Sequence, residues 1–229
     1  MATKRVTKYK GATTEAYTKY VKLNAMNEKQ AEYIDALQNY NQLIILGPSG
    51  TGKSYIAATY AANQYLQKKI DKIIITRPNV SVGKDLGHLP GTIEDKYSPW
   101  LAPVMDTLEK HLGKAVVETA IKSGNIEMAP LAFMRGRSFS NAIILAEELQ
   151  NLSVAEFKMF ITRVGDNCKV IMNGDIKQSD IRGESGLALA ISLSKKYKID
   201  AAVIEFSLDD VVRSDICKQW LTAFYGEGM

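Results

Sequence analysis

Residues 47–54 read Gly-Pro-Ser-Gly-Thr-Gly-Lys-Ser, a pattern that can bind phosphate. Glycines let the backbone amides of such a loop turn inward on phosphate oxygens, the lysine reaches the terminal phosphates, and the serine hydroxyl is a ligand for Mg²⁺. An apolar run at residues 43–46 precedes the loop, and a helical pattern begins at Lys53. The spacing predicts a site for ATP and Mg²⁺ formed by Gly47, Pro48, Ser49, Gly50, Thr51, Gly52, Lys53, Ser54 and Tyr55.

A pair of carboxylates, Glu147 and Glu148, directly follows the apolar run at residues 142–146. Ligands in open α/β sheets sit at the carboxyl ends of the strands, so the pair is expected beside the phosphates. We assign Glu147 to Mg²⁺ through water and Glu148 to the attacking water, while a solvated acidic strand end is the alternative. Asp is the usual residue at the metal position, and the longer Glu147 is expected to weaken or displace the ion.

Hydrolysis also needs a group that senses the γ-phosphate and a cation that stabilises the transition state. Gln178 follows the next apolar strand and is the predicted sensor, with a polar turn as the alternative. Arg213 is the first candidate for the cation, which a single domain of this kind often receives from a neighbouring subunit. Arg163 and Arg182 are further candidates, and each arginine could instead be structural. The predicted catalytic set is thus Lys53, Glu148, Gln178 and Arg213.

The elements that must position these residues alternate between strand and helix. Short apolar, β-branched runs predict five strands, at 43–46, 72–76, 142–146, 169–172 and 202–206. Helical patterns cover 53–67, 103–112, 114–122, 154–163, 185–194 and 215–224. This alternation predicts an α/β fold with a mostly parallel sheet and helices on both faces. An ordered insertion, about residues 78–138, separates the second and third predicted strands.

Composition narrows the function classes. The chain has 229 residues, 46% of them hydrophobic and 24% charged, which predicts one soluble domain at residues 25–229 without a membrane partner. Two cysteines and two histidines leave little for a zinc site or a histidine-based triad. Net charge is +4, and residues 1–24 carry six basic residues against one acidic one. This basic N-terminal arm could contact phosphate backbone or be a solvated tail.

These motifs together resemble the PhoH family of phosphate-starvation-induced ATPases, whose short single-domain members are frequent in bacteriophages. The resemblance covers residues 27–215. Beside the phosphate loop it rests on Thr-Arg-Pro at 76–78, Leu-Gly-His-Leu-Pro-Gly at 86–91, Arg-Gly-Arg-Ser at 135–138, Glu-Glu-Leu-Gln-Asn at 147–151, Lys-Met-Phe-Ile-Thr-Arg at 158–163, Gly-Asp-Ile-Lys-Gln at 174–178 and Val-Val-Arg at 211–213. Glu147 departs from the family, which has Asp there.

The resemblance implies a RecA-like P-loop NTPase core, in which the sensor strand separates the acidic-pair strand from the P-loop strand. It also implies that Gln30 reads the adenine edge. The absence of a membrane-length apolar run and of a secretory signal predicts a cytoplasmic protein, in the host cytoplasm if it is phage-encoded. One helicase-like motor domain implies completion of the active site in a homo-oligomeric ring, with a hexamer as the economical form.

Three functions remain open at this point. The first is an ATPase, helicase-like in character, that binds, translocates on or remodels single-stranded nucleic acid, with RNA favoured. Its predicted contacts are Arg77, Lys84, Arg135 and Arg137, on loops expected along the nucleotide edge. The second is a nucleotide-dependent oligomeric switch or scaffold without motor activity. The third is a small-molecule kinase that uses the insertion as a lid. ATPase stimulation by RNA or DNA discriminates between the first two.

Overall fold

The computed structural model describes residues 20–78, 97–181 and 183–227, which form a six-stranded sheet. Its strands are β1 (Gln42–Leu46), β2 (Lys72–Thr76), β3 (Ile126–Met128), β4 (Ala142–Ala146), β5 (Lys169–Gly174) and β6 (Ala202–Glu205). Their order is β3-β2-β4-β5-β1-β6, and every neighbouring pair is parallel. The predicted α/β class with a parallel sheet is therefore confirmed, and so is the position of β5 between β4 and β1.

The strand count is a correction. All five predicted strands are present, but β3 is a sixth strand inside the predicted insertion, paired with β2. Only three residues long, it has the charged Glu127 at its centre, so it lacks the apolar run that identifies the other strands. An edge strand tolerates such a residue because one side of it is open, and here Glu127 forms an ion pair with Arg137.

Helices cover both faces of the sheet. They are α1 (Glu28–Asn39), α2 (Lys53–Leu66), α3 (Ala102–Leu112), α4 (Lys114–Lys122), α5 (Val154–Ile161), α6 (Gly186–Tyr197) and α7 (Asp215–Gly226). Several begin with a side chain that accepts a backbone N–H of the first turn, as Asn27 does for α1 and Ser185 does for α6. Ser153 and Glu156 form a capping box at α5, which fixes the chain just after the acidic pair.

Two hydrophobic cores sandwich the sheet, because successive strand residues point to opposite faces. Leu43 and Ile45 of β1 pack into the core under α1 to α4, whereas Ile44 and Leu46 pack into the core under α5 and α6. Helices α3 and α4 of the predicted insertion contribute buried residues such as Leu108 to the first core. This part of the insertion is therefore continuous with the main domain rather than a separate lobe.

Some predictions lie wholly or largely outside the described residues. They include most of the basic arm, the Leu-Gly-His-Leu-Pro-Gly motif, Lys84 and Arg182. Among the residues that are described, no helix combines the length and the apolar character needed to cross a membrane.

Candidate nucleotide-binding site

The phosphate loop joins β1 to α2 and depends on glycine at three positions. Gly47, Gly50 and Gly52 all have φ between 85° and 128°, a region that other residues rarely adopt. A Cβ on Gly47 would lie 2.5 Å from the carbonyl oxygen of Phe206, so the chain just after β6 leaves no room for a side chain. Gly52 caps α2 without a side-chain bond, which leaves first-turn N–H groups available to an anion.

The Lys53 ammonium is held by the loop itself. It donates to the carbonyl oxygens of Gly47 and Pro48 at 2.6 and 2.7 Å, and to the Thr51 hydroxyl at 3.3 Å. Burial lowers the Lys53 pKa, while the negative charge of Asp175 is the largest influence that opposes this shift. The N–H groups of the ammonium therefore bond to oxygens of the loop itself, and a phosphate oxygen would compete with these oxygens for them.

Ser54 and Glu147 are joined directly. The Ser54 hydroxyl donates to Glu147 Oε2 at 2.7 Å, and Asn173 Nδ2 donates to Glu147 Oε1 at 2.9 Å. Burial raises the Glu147 pKa, and the bonds from Ser54 and Asn173 oppose this effect. The longer glutamate thus spans β4 to α2, and both of its oxygens have a donor before any ion is considered.

Glu148 follows in a conformation that only a few non-glycine residues adopt, with φ 55° and ψ 37°. Its half-buried carboxylate accepts a bond of 2.6 Å from Gln150 Nε2. The two carboxylates of the pair have different hydrogen-bond partners, although the negative charge of Glu148 also helps to raise the Glu147 pKa. Backbone strain of this kind costs about 1–3 kcal/mol and is often kept at functional sites.

The sensor loop follows β5. Asp175 accepts from the Lys177 amide at 3.1 Å and from the Tyr225 hydroxyl on α7, and Lys177 lies 5.0 Å from the Tyr225 ring centroid. Burial and the contact with Asp175 raise the Tyr225 pKa. Gln178 is exposed, and its backbone N–H donates to the Asp175 carbonyl oxygen at 2.9 Å, which closes the turn. The loop is therefore pinned to α7 while Gln178 faces the pocket.

Arg213 lies against the phosphate loop of its own chain. The Val212 amide donates to the Gly50 carbonyl oxygen at 2.9 Å, and a Cβ on Gly50 would lie 2.6 Å from the Arg213 side chain. Of the other arginine candidates, Arg163 donates to the Arg137 carbonyl oxygen at 3.3 Å, and Arg182 lies outside the described residues. The first-choice arginine is thus positioned in cis.

Gln30 is buried between the N-terminal segment and the loop. Its Oε1 accepts from the Met26 amide at 2.9 Å, and its Nε2 donates to the Thr51 carbonyl oxygen at 3.0 Å. Each amide atom retains one further bonding position, so adenine recognition stays a prediction. Gln30 thus links Met26, which borders the pocket, to the phosphate loop through two hydrogen bonds.

One pocket of about 550 Å³ brings these groups together. Its lining includes most of the predicted nucleotide, metal and catalytic residues: Gln30, Gly47, Ser49, Gly50, Gly52, Lys53, Ser54, Tyr55, Glu147, Glu148, Gln178 and Arg213. Pro48 and Thr51 act through the Lys53 ammonium. These groups suit a magnesium nucleotide. The Ser54 hydroxyl and the buried Glu147 carboxylate offer oxygen ligands to the ion, and the N-terminus of α2, which lacks a side-chain cap, offers backbone N–H groups to the phosphates. The Asn173 Oδ1 atom is also buried, without a partner among the described residues.

The described nucleic-acid candidates lie outside the nucleotide pocket. Arg137 pairs with both carboxylate oxygens of Glu127. Glu127 is in register with Ile74 at the centre of β2, so this pair lies near the middle of the strands rather than at their carboxyl ends. Arg77 donates to the Trp100 carbonyl oxygen at 3.2 Å and lies 5.6 Å from the Trp100 ring centroid. Arg135 is exposed, and none of the three lines the nucleotide pocket. The nucleic-acid role of these three arginines stays a prediction.

No role was predicted for two buried polar residues beside the acidic pair. Asn173 and Gln150 are each 1% exposed, and each contacts one member of the acidic pair. Asn173 offered a local signal, since it is a polar residue that continues an apolar strand. Gln150 offered only its place within the motif, because its second side-chain partner, the Asp175 backbone N–H, lies on another loop.

The parallel sheet and the glycine-rich loop after β1 define an α/β P-loop domain. The family model described as PhoH-like protein matches residues 22–225, nearly all of the described chain. The chain belongs to the PhoH family.

Among its relatives, Protein PhoH of Escherichia coli (strain K12) is 40% identical over 204 residues, covering 87% of this chain and 57% of that protein. A PhoH-like protein of Bacillus subtilis (strain 168) is 39% identical over 215 residues, covering 93% of this chain and 66% of that protein. The chain therefore spans 57–66% of the length of these two relatives. A solved Pif1 helicase from Candida albicans matches 81% of this chain and 41% of its own at 10% identity, with a TM-score of 0.39.

Proposed function

We propose that this protein is a Mg²⁺-dependent ATPase. The observation that carries the proposal is the continuous set of contacts from the phosphate loop to the acidic pair, Ser54 to Glu147 to Asn173, with Glu148 next in the chain. Ser54, Glu147 and Glu148 all line one pocket, which supports assigning a hydroxyl and a carboxylate to the metal and a separate carboxylate to the water. A structural glycine turn would need none of these three.

Each residue has a stated task in the reaction. The loop amides and Lys53 bind the β- and γ-phosphates, and Ser54 and Glu147, the latter through water, would hold the metal. When bound, Mg²⁺ supplies positive charge to the phosphate oxygens. Glu148 orients the water and accepts its proton as the water oxygen bonds to the γ-phosphorus and the bond to the ADP oxygen breaks. ADP and inorganic phosphate are the products.

Arg213 and Gln178 complete the site. Arg213 lies beside Gly50, where a guanidinium can neutralise charge that develops on the γ-phosphoryl oxygens. Gln178 borders the pocket on the far side and can follow loss of the γ-phosphate. Because Arg213 belongs to the same chain as the loop, the proposed chemistry can proceed in one protomer. A homo-oligomeric ring, hexameric by the family resemblance, is then an assembly of complete sites.

We further propose that hydrolysis is coupled to single-stranded nucleic acid, with RNA favoured over DNA. The exposed Arg135 supports this role. The alternative is a nucleotide-dependent switch, which is favoured by the internal contacts of Arg77 and Arg137, since these contacts occupy guanidiniums that would otherwise face a phosphate backbone.

Steady-state ATP hydrolysis tests the proposal. Wild type should turn over ATP only with Mg²⁺, and Glu148→Gln should lower kcat at least about 100-fold while ATP binding persists. Glu118→Gln, an exposed glutamate on α4, is the matched control and should leave kcat unchanged. Equal rates in wild type and Glu148→Gln would refute the assignment of the base.

The same assay with single-stranded RNA and DNA separates the two roles. Stimulation that Arg135→Ala reduces supports nucleic-acid coupling. Turnover that neither polymer changes favours the switch.

A further inference from the structure

Gln150 lies on the short 3₁₀ turn Leu149–Asn151 that follows the acidic pair, and it is 1% exposed. A primary amide so deeply buried needs hydrogen-bond partners, because leaving it unpaired costs several times what a bond contributes. Its partners therefore indicate why a glutamine occupies this position rather than an apolar residue.

The two ends of the amide bond to different loops. Nε2 donates to the Glu148 carboxylate at 2.6 Å, and Oε1 accepts the backbone N–H of Asp175 at 3.0 Å. The backbone carbonyl oxygen of Gln150 also accepts a hydrogen bond from the Ser179 hydroxyl at 3.0 Å. One residue thus spans from the proposed base to both ends of the loop that contains Gln178.

The neighbouring backbone is shaped to admit this amide. A Cβ on Gly174 would lie 2.5 Å from Leu187 Cδ2, 2.9 Å from Gln150 Oε1 and 3.2 Å from the Gln150 backbone nitrogen. A larger residue at position 174 would therefore collide with both α6 and the Gln150 side chain. Glu148 in turn holds a left-handed conformation, so its side-chain direction depends on contacts beyond its own backbone preference.

We propose that Gln150 is a positioning residue that holds the Glu148 carboxylate in place and joins it to the sensor loop at Asp175. The inference rests on the proposed function, because it assigns Gln150 a role in the same hydrolytic step. Movement of the sensor loop changes the orientation of the base through this amide. Gln150 touches neither substrate nor metal in this scheme, so its effect appears in turnover rather than in ATP binding.

A double-mutant cycle tests the inference. Gln150→Met keeps the length of the side chain and removes both hydrogen bonds. We expect kcat to fall about 10- to 100-fold, with the Kd for ATP within about twofold of wild type. In a Glu148→Gln background the same substitution should produce no further loss, because Gln150 acts through Glu148. Gln38→Met, an exposed glutamine on α1, is the matched control.

Two further readouts keep the test sharp. Gln150→Glu retains volume, but its carboxylate cannot donate to Glu148 and repels it, so kcat should fall at least as far as in Gln150→Met. This variant also carries the test if Gln150→Met does not fold. Hydrogen exchange at the Asp175 amide should accelerate in Gln150→Met, while exchange at Ile171 in the middle of β5 stays as in wild type.

The outcomes separate the two proposals. If Glu148→Gln abolishes turnover but Gln150→Met leaves kcat unchanged, the inference is overturned and the ATPase function stands. Additive losses in the double variant also overturn it, since they show action apart from Glu148. If wild type does not hydrolyse ATP, the proposed function fails and the role of Gln150 fails with it.

Discussion

Asn173→Leu offers a sharp test of the metal site, because it removes one specific contact. The Asn173 amide donates to Glu147 Oε1 at 2.9 Å, and the leucine side chain has nearly the same volume but no donor. Glu147 would keep the bond from Ser54 on its other oxygen. The buried carboxylate would then be free to rotate about that single contact.

The magnitude follows from the kind of bond that is lost. Partners that orient a metal-binding side chain are typically worth 10- to 100-fold in metal affinity or activity. We therefore expect the Mg²⁺ concentration for half-maximal ATPase to rise about 10- to 100-fold in Asn173→Leu. Loss of a donor to the buried carboxylate should also raise the Glu147 pKa further, so the defect should grow as pH falls.

The assay is a Mg²⁺ titration of ATPase at fixed ATP, with thermal unfolding measured in parallel. Asn125→Leu is the matched control, because Asn125 donates a long bond of 3.4 Å to the Tyr65 hydroxyl at the opposite end of the sheet. It should lower stability slightly and leave the Mg²⁺ midpoint unchanged. An unchanged midpoint in a folded Asn173→Leu would refute the reasoning that Asn173 orients Glu147.

Three other perturbations give further tests. Gly50→Ala should cost about 1–3 kcal/mol of unfolding free energy and weaken ATP binding, because φ is +85° and a Cβ meets an arginine side chain at 2.6 Å. Gly124→Ala, at φ +73° with open space, separates strain from crowding, and equal effects of the two variants on ATP binding would count against the geometry. Burial raises the pKa of Glu147 in the folded state, so the folded state keeps this proton to a higher pH than the unfolded state does. As pH rises from the unfolded-state pKa to the folded-state pKa, wild type should lose stability relative to Glu147→Gln, as measured by denaturant unfolding without Mg²⁺. A stability difference that stays constant with pH would contradict this prediction. Tyr97→Phe should cost about 1–3 kcal/mol in denaturant unfolding, since the buried hydroxyl bonds both the amide and the carbonyl of Arg77, and an unchanged midpoint would show those groups to be otherwise satisfied.

The core strands were predictable because their chemistry is local. β1, β2 and β4 are five-residue runs dominated by buried aliphatic side chains, a pattern that survives without knowledge of neighbours. β3 was not predictable, because three residues around Glu127 become a strand only when β2 supplies the hydrogen bonds and Arg137 supplies the charge. The helix α1 was likewise not among the predicted helices.

The site divides in the same way. Residues 47–54 and the acidic pair were located from short motifs whose chemistry depends on adjacent residues. Gln30, Gln150 and Asn173 each have a partner that lies 21 to 26 residues away in the chain, and spacing alone cannot identify that partner. The position of Arg213 in cis depends on the Val212 contact with Gly50, which only the folded loop defines.

The strand order also bears on how the protein is made. β1 has β5 and β6 as neighbours, which follow it by more than 120 residues, so the strand that carries the phosphate loop waits unpaired during synthesis. Parallel pairs of such large sequence separation form slowly, because loop closure comes before any gain from pairing. Ribosome-bound chains that end before β5 would carry an unsupported glycine-rich loop. Competence for nucleotide binding thus arises late in biogenesis.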